Sequence, residues 1–237
     1  MGYSFLRVFG DSFSFGHGLD LDFEYYEHYL KPNNLNKKEF GVYLSAKLDL
    51  HLQQYAQSGS SNSSILRKVI ENLYKFKKGD IVVIGLTQPF RFEIMLNSFE
   101  YNGGVDYSDQ GWEYILGRSL DKSFMRPTTF KIMEEYIKHI HLQTYEKRNK
   151  SIIRQITSIK DHLNNTLGIN TIIWSWTDDN PAGTYIPVRM RKDVENIIDA
   201  TNGRIDDHHP SYKGHEQLSN LLYKHIKENQ KLIDFIK

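Results

Sequence analysis

The chain has 237 residues, 39% of them apolar and 25% charged, with a formal net charge of +1 and no cysteine. That length and composition fit a globular domain with one core and exclude disordered, collagenous and disulfide-stapled chains. A near-neutral balance with no basic block gives no electrostatic case for a nucleic-acid partner. No apolar run is long enough for a membrane span, and the missing cysteines exclude thiolate chemistry and Cys-based zinc sites.

The opening residues carry no charged region followed by an apolar one, so no secretory leader is expected. That absence fits a cytoplasmic protein or one carried in an assembly such as a virion. Phe5-Leu6-Arg7-Val8-Phe9, closed by Gly10, predicts the first strand, and His51 to Ala56, ahead of Ser58-Gly59, the second. Ile65, Leu66, Val69, Ile70 and Leu73 recur at helix spacing. Ile81-Val82-Val83-Ile84 before Gly85 predicts a third strand, without strict alternation, as in strands covered on both faces. From about Pro89 to Asn149 the alternation fails. That segment is rich in aromatics, among them Phe92, Tyr101, Trp112 and Phe124, and reads as helical from about Thr128. It is read as an insertion on a single domain: a lid, a contact surface or extra core packing. Ile152, Ile156, Ile159, Leu163 and Leu167 predict a helix that ends at Gly168. Ile169 to Trp176 predicts a further strand. A last helix begins at about Tyr212, with Ser211 as N-cap and Leu218, Leu221, Leu222 and Ile226 on one face. Strands alternating with helices imply a mainly parallel sheet with helices on both faces.

In an open α/β sheet, ligands bind beyond the carboxyl ends of the strands. That edge collects Gly10-Asp11-Ser12, Ser58-Gly59-Ser60-Ser61-Asn62, Gly85-Leu86-Thr87 and, before the last helix, Asp206-Asp207-His208-His209-Pro210. These are the parts of acyl transfer: a nucleophile, a base, an orienting carboxylate and oxyanion donors. Each has a plainer reading. Ser12 also suits a turn or helix cap, and Asp11 a tie within its loop. Arg91 and Glu93 suit a pocket rim or, more simply, a surface salt bridge. His208 and His215 read as surface or supporting residues. His139 and His141, two apart on a helix, read as solvent-exposed. The Asp206–His209 cluster has zinc-ligand types, but adjacent histidines rarely share an ion and the serine loop would go unexplained. No metal and no cofactor is therefore expected.

At these positions the sequence resembles the SGNH/GDSL hydrolases. Gly10-Asp11-Ser12-Phe13-Ser14-Phe15-Gly16 is similar to that family's first block, and Ala56-Gln57-Ser58-Gly59-Ser60-Ser61-Asn62 to its second. Asp206-x-x-His209-Pro210, followed by Gly214, is similar to its last. The matches come in family order and frame nearly the whole chain. The third block departs from the family's Gly-x-Asn-Asp, because Gly85-Leu86-Thr87-Gln88 places Thr87 where an Asn donor is usual. The resemblance implies a flavodoxin-like three-layer α/β/α sandwich and an esterase. Ser12 would be the nucleophile, His209 the base and Asp206 its orienting carboxylate. The backbone N–H groups of Ser12 and Gly59 would receive the oxyanion. For a third donor it leaves open Thr87, Asn62, Gln88 or none. The implied substrate is an acyl ester, with acetyl or other short acyl groups on carbohydrates as the first expectation. Arg91 is a candidate substrate contact. Acyl transfer to an alcohol uses the same residues, and a non-catalytic binding module on this fold is the rival from another class.

Overall fold

A computed structural model describes residues 4–16, 39–95, 112–116, 131, 134–177, 188–189, 210 and 212–236. The strands are β1 (Phe5–Phe9), β2 (His51–Gln54), β3 (Ile81–Leu86), β4 (Arg91–Met95), β5 (Trp112–Leu116), β6 (Asn170–Ser175) and β7 (Val188–Arg189). The helices are α1 (Ser12–Phe15), α2 (Phe40–Leu48), α3 (Asn62–Asn72), α4 (Leu142–His162, flanked by π-helical turns) and α5 (Tyr212–Ile236). Five strands form one sheet in the order β2-β1-β3-β6-β7, and every pairing in it is parallel.

Alternate residues of the strands feed two separate cores. Leu6, Val8, Val83, Ile172 and Trp174 point to one face, where Phe40 and Leu44 of α2 and Leu218, Leu222 and Ile226 of α5 cover them. Phe9, Val82, Ile84, Leu86 and Ile173 point to the other, against Ile65, Leu66 and Val69 of α3 and Ile153 and Ile156 of α4. The molecule is thus a three-layer α/β/α sandwich, as expected. Each fully buried Leu, Ile or Val contributes about 1.5–3 kcal/mol, and both faces need their helices because the central strands are apolar on both sides.

Several elements differ from the sequence expectation. Helix α2 was not anticipated. Its Phe40, Leu44 and Leu48 lie at helical spacing, but Gly41, Val42, Tyr43 and Ser45 are indifferent helix formers, so tertiary packing decides it. The Glu39 side chain caps it by accepting from Gly41 N. Within the predicted insertion, β4 and β5 pair as an antiparallel two-stranded sheet, from Arg91↔Leu116 to Met95↔Trp112. Strand β3 runs two residues further than read, through Gly85 and Leu86. The Ser211 cap lies outside the described residues.

The amino-terminal edge of the sheet is locked by polar groups. Arg7, 3% exposed, lays its Nε 2.9 Å from Asp80 Oδ2 and donates through Nη2 to Lys75 O. Asp80 also accepts from Phe5 N and Lys77 N. At the start of β6, Asn170 donates to Ile226 O and accepts from Asn229, tying α5 to the sheet. Breaking a buried ion pair from one side strands the other charge, at about 3–5 kcal/mol. Arg7→Met should therefore lower unfolding free energy by about 3 kcal/mol in a urea titration, while leaving chemistry at the opposite edge of the sheet unchanged.

Candidate active site

The chain leaves β1 toward β2 on one side and returns to β3 on the other. The gap beyond the carboxyl ends of β1 and β3 is thus the topological switch point, where open α/β sheets bind ligands. Ser12 begins α1 directly in this gap and is 3% exposed. Its neighbour Asp11 is fully buried and caps the helix, Oδ1 accepting from Phe13 N at 3.1 Å. Asp11 Oδ2 accepts from Thr87 Oγ1 at 2.6 Å, Trp176 Nε1 at 2.9 Å and Arg91 Nη1 at 3.1 Å. One carboxylate so ties the loop after β1 to the ends of β3 and β6 and the start of β4. A buried carboxylate is tolerable only when paired and hydrogen-bonded in this way. Trp176 also stacks on Phe13, with ring centroids 4.0 Å apart and 8° between planes, and the Arg91 guanidinium lies 5.8 Å from the Trp176 ring.

Close packing fixes the height of the serine turn. A Cβ at Gly85 would lie 2.4 Å from Ser14 Oγ and 2.8 Å from Trp174 Nε1, so only glycine lets α1 settle onto β3. Ser14 Oγ and Trp174 Nε1 are both buried and have no hydrogen-bond partner among the described residues. Such groups usually cost stability, which is spent here beside Ser12.

The second glycine loop is brought alongside by backbone pairing that continues past β2. Tyr55 N donates to Val8 O at 2.8 Å and Gln57 N to Gly10 O at 3.1 Å. Ser60 N then closes a turn onto Gln57 O, with Gly59 at φ +81°, a left-handed value that glycine adopts without strain. Asn62, first residue of α3, is 2% exposed and its amide acts as a peptide group toward Thr87. Its Oδ1 accepts from Thr87 N at 2.8 Å, and its Nδ2 donates to Thr87 O at 3.0 Å and to Asn149 Oδ1 at 2.7 Å.

Ser12, Asn62, Thr87 and Arg91, with the Gly59 turn, are therefore gathered at one sheet edge. Asp206 and His209, with Asp207 and His208, lie outside the described residues. The helix that follows them is anchored at this same edge. Asn170, at the amino end of β6, holds Ile226 in the middle of α5, so the start of α5 points to the carboxyl ends of the strands. There His215 Nδ1 accepts from Phe40 N at 3.2 Å. Next to Phe40, Glu39 Oε1 accepts from Gln54 Nε2, which also donates to Ser14 O.

One expectation is narrowed and one corrected. Of the two readings of His215, surface or supporting, the surface one falls: it is fully buried and packs its ring on Phe40. Arg91 does not form a surface salt bridge. Its side chain is 10% exposed and turns inward to Asp11. His139 is exposed and pairs with Glu135. Trp176 and Asn149 were missed. Trp176 follows the last long strand directly, which was a usable signal, whereas Asn149 sits on a helix with nothing local to mark it.

No protein-family model and no curated protein matches the sequence. Solved structures with a similar fold include a psychrotrophic esterase from a Pseudoalteromonas species, 11% identical, covering 95% of this chain and 97% of that one with a TM-score of 0.49. Another is a lipase from a goat rumen metagenome, 15% identical, covering 94% of this chain and 97% of that one with a TM-score of 0.42. A third is a carbohydrate esterase family 2 enzyme with a carbohydrate-binding domain from Corynascus thermopiles, 14% identical, covering 95% of this chain and 66% of that one with a TM-score of 0.42.

The packing around Gly85 yields a double-variant test. Gly85→Ala should cost about 1–3 kcal/mol through overpacking. Ser14→Ala removes an unpartnered hydroxyl and should be neutral or stabilising by up to about 1 kcal/mol. The two together should recover part of the Gly85→Ala loss, read as non-additive shifts in urea midpoint.

Proposed function

We propose that this chain is a serine hydrolase that cleaves acyl esters. Ser12 Oγ attacks the ester carbonyl while His209 takes its proton, and Asp206 holds the imidazole and its charged form. His209 then protonates the leaving alcohol, and water releases the acyl group from Ser12. The observation that carries the reading is the placement of Ser12. It opens a short helix at the switch point, braced through Asp11, with the Gly59 turn joined to it through Gln57 N and Gly10 O. The anchoring of α5 at that edge through His215 and Phe40 supports delivery of residues 206–209 to Ser12.

In this reading the oxyanion is received by the backbone N–H groups of Ser12 and Gly59. Thr87 spends its one hydroxyl proton on Asp11, and the Asn62 amide is engaged by Thr87 and Asn149. Both arrangements argue for a hole of two donors. One oxyanion donor is typically worth about 100- to 1000-fold in turnover, so the enzyme is expected to be slow on unactivated esters. Short acyl groups on carbohydrates are the proposed substrates, and the 89–149 segment is proposed as an insertion on a single domain.

The same engagement of Thr87 favours a second reading, a non-catalytic binding module on this fold. Intact-mass analysis with a fluorophosphonate separates the two. The hydrolase reading expects one adduct, absent in Ser12→Ala, and a fall of at least about 1000-fold in p-nitrophenyl acetate hydrolysis in that variant. Wild-type protein that takes no adduct and cleaves no short ester belongs to the binding reading.

A further inference from the structure

We infer that Arg91 is a positioning residue for the nucleophile, acting through Asp11 and not through contact with substrate. The inference rests on the proposed role of Ser12. Asp11 is fully buried and directly precedes Ser12, and its backbone O accepts from Ser14 N and Phe15 N, so it is the base on which α1 stands. Of the groups that donate to its carboxylate among the described residues, Phe13 N, Thr87 Oγ1 and Trp176 Nε1 are neutral. Arg91 supplies the positive charge, with its Nη1 3.1 Å from Oδ2 and its side chain 10% exposed.

The chemistry next door makes that charge matter. The attack by Ser12 develops negative charge on the substrate oxygen within one residue of Asp11. A buried anion without a counter-charge opposes that development, since charges in a water-poor site act at low effective dielectric. It also seeks new donors, which pulls the Asp11–Ser12 peptide out of its place. Arg91 answers both by neutralising Asp11 and by fixing where its carboxylate lies. The residue is carried on the first position of β4, whose partner is β5, so the antiparallel sheet of the 89–149 segment is mechanically joined to the serine turn. The guanidinium touches Asp11 through one nitrogen and lies over Trp176, which itself donates to the same carboxylate oxygen. Its reach is thus directed to the support of Ser12.

The test is the second-order rate of fluorophosphonate labelling of Ser12. A small probe reports the readiness of the serine and is insensitive to contacts with an extended substrate. Arg91→Met is expected to label about 100-fold more slowly than wild type, the loss that a displacement of about 1 Å brings in a catalytic geometry. Arg91→Lys, which keeps the charge, should stay within about tenfold of wild type. Arg91→Gln should fall between them and serves if the methionine variant does not fold, as judged by near-ultraviolet circular dichroism. For p-nitrophenyl acetate the losses should lie in kcat, with KM nearly unchanged. Labelling of folded Arg91→Met, or of Arg91→Gln in its place, at the wild-type rate overturns the inference. So does a loss confined to KM, which would make Arg91 a substrate contact. Equal losses in the lysine and methionine variants overturn it as well, because packing over Trp176 would then explain the effect. A wild-type protein that takes no adduct and cleaves no short ester removes the hydrolase reading, and this inference with it.

Discussion

The carboxylate of Asp11 is the constraint on which this site depends. It receives a backbone N–H, a hydroxyl, an indole N–H and a guanidinium, drawn from three separate stretches of chain. Apart from Phe13, these groups lie 76 or more residues from Asp11 in sequence. A single buried anion therefore sets the relative positions of the ends of β1, β3 and β6. Removing its partners one at a time is costly, because an unsatisfied charge in such surroundings has no water to turn to. The serine beside it inherits that rigidity.

The packing around the anion is arranged to the same end. Phe13 and Trp176 lie flat on one another above the turn, and Gly85 lets Ser14 come against the strand from below. Asn62 reproduces a peptide's pair of hydrogen bonds toward Thr87, which extends the order of β3 by one residue past its end. The site is thus built on strand ends and helix starts whose backbone is held from several directions. Positional precision of that kind is what preorganised donors require.

Much of this was legible in the residues. The strands β1, β3 and β6 carried apolar runs with turn residues behind them, and the helices α3, α4 and α5 carried clear apolar spacing. The edge where Ser12, Gly59 and Thr87 meet followed from topology alone. What was not legible depends on partners distant in sequence. Helix α2 is weak in propensity and exists by packing on β1 and α5. The inward turn of Arg91 could not be told from a surface pair, because nothing near it in sequence marks Asp11 as its partner. His215 looked like one more polar residue at a helix start until Phe40, far away in the chain, gave it a bond and a ring to lie on.

The strand order also bears on how the molecule comes to exist. Leu6 pairs with Ile81, and Ile81 with Asn170, so the central pairings join points separated by long stretches of chain. Loop-closure entropy has to be met before such contacts return any free energy, which makes parallel sheets slow to assemble. Helices α3, α4 and α5 can form from local contacts, while β1, β3 and β6 wait with both apolar faces uncovered. During that interval the chain is a good substrate for self-association or a chaperone. Asp11 cannot find Thr87 and Trp176 until the last of these pairings has closed. The site is therefore a late product of folding, and a nascent chain must be made through Trp176 before its serine has a place to stand.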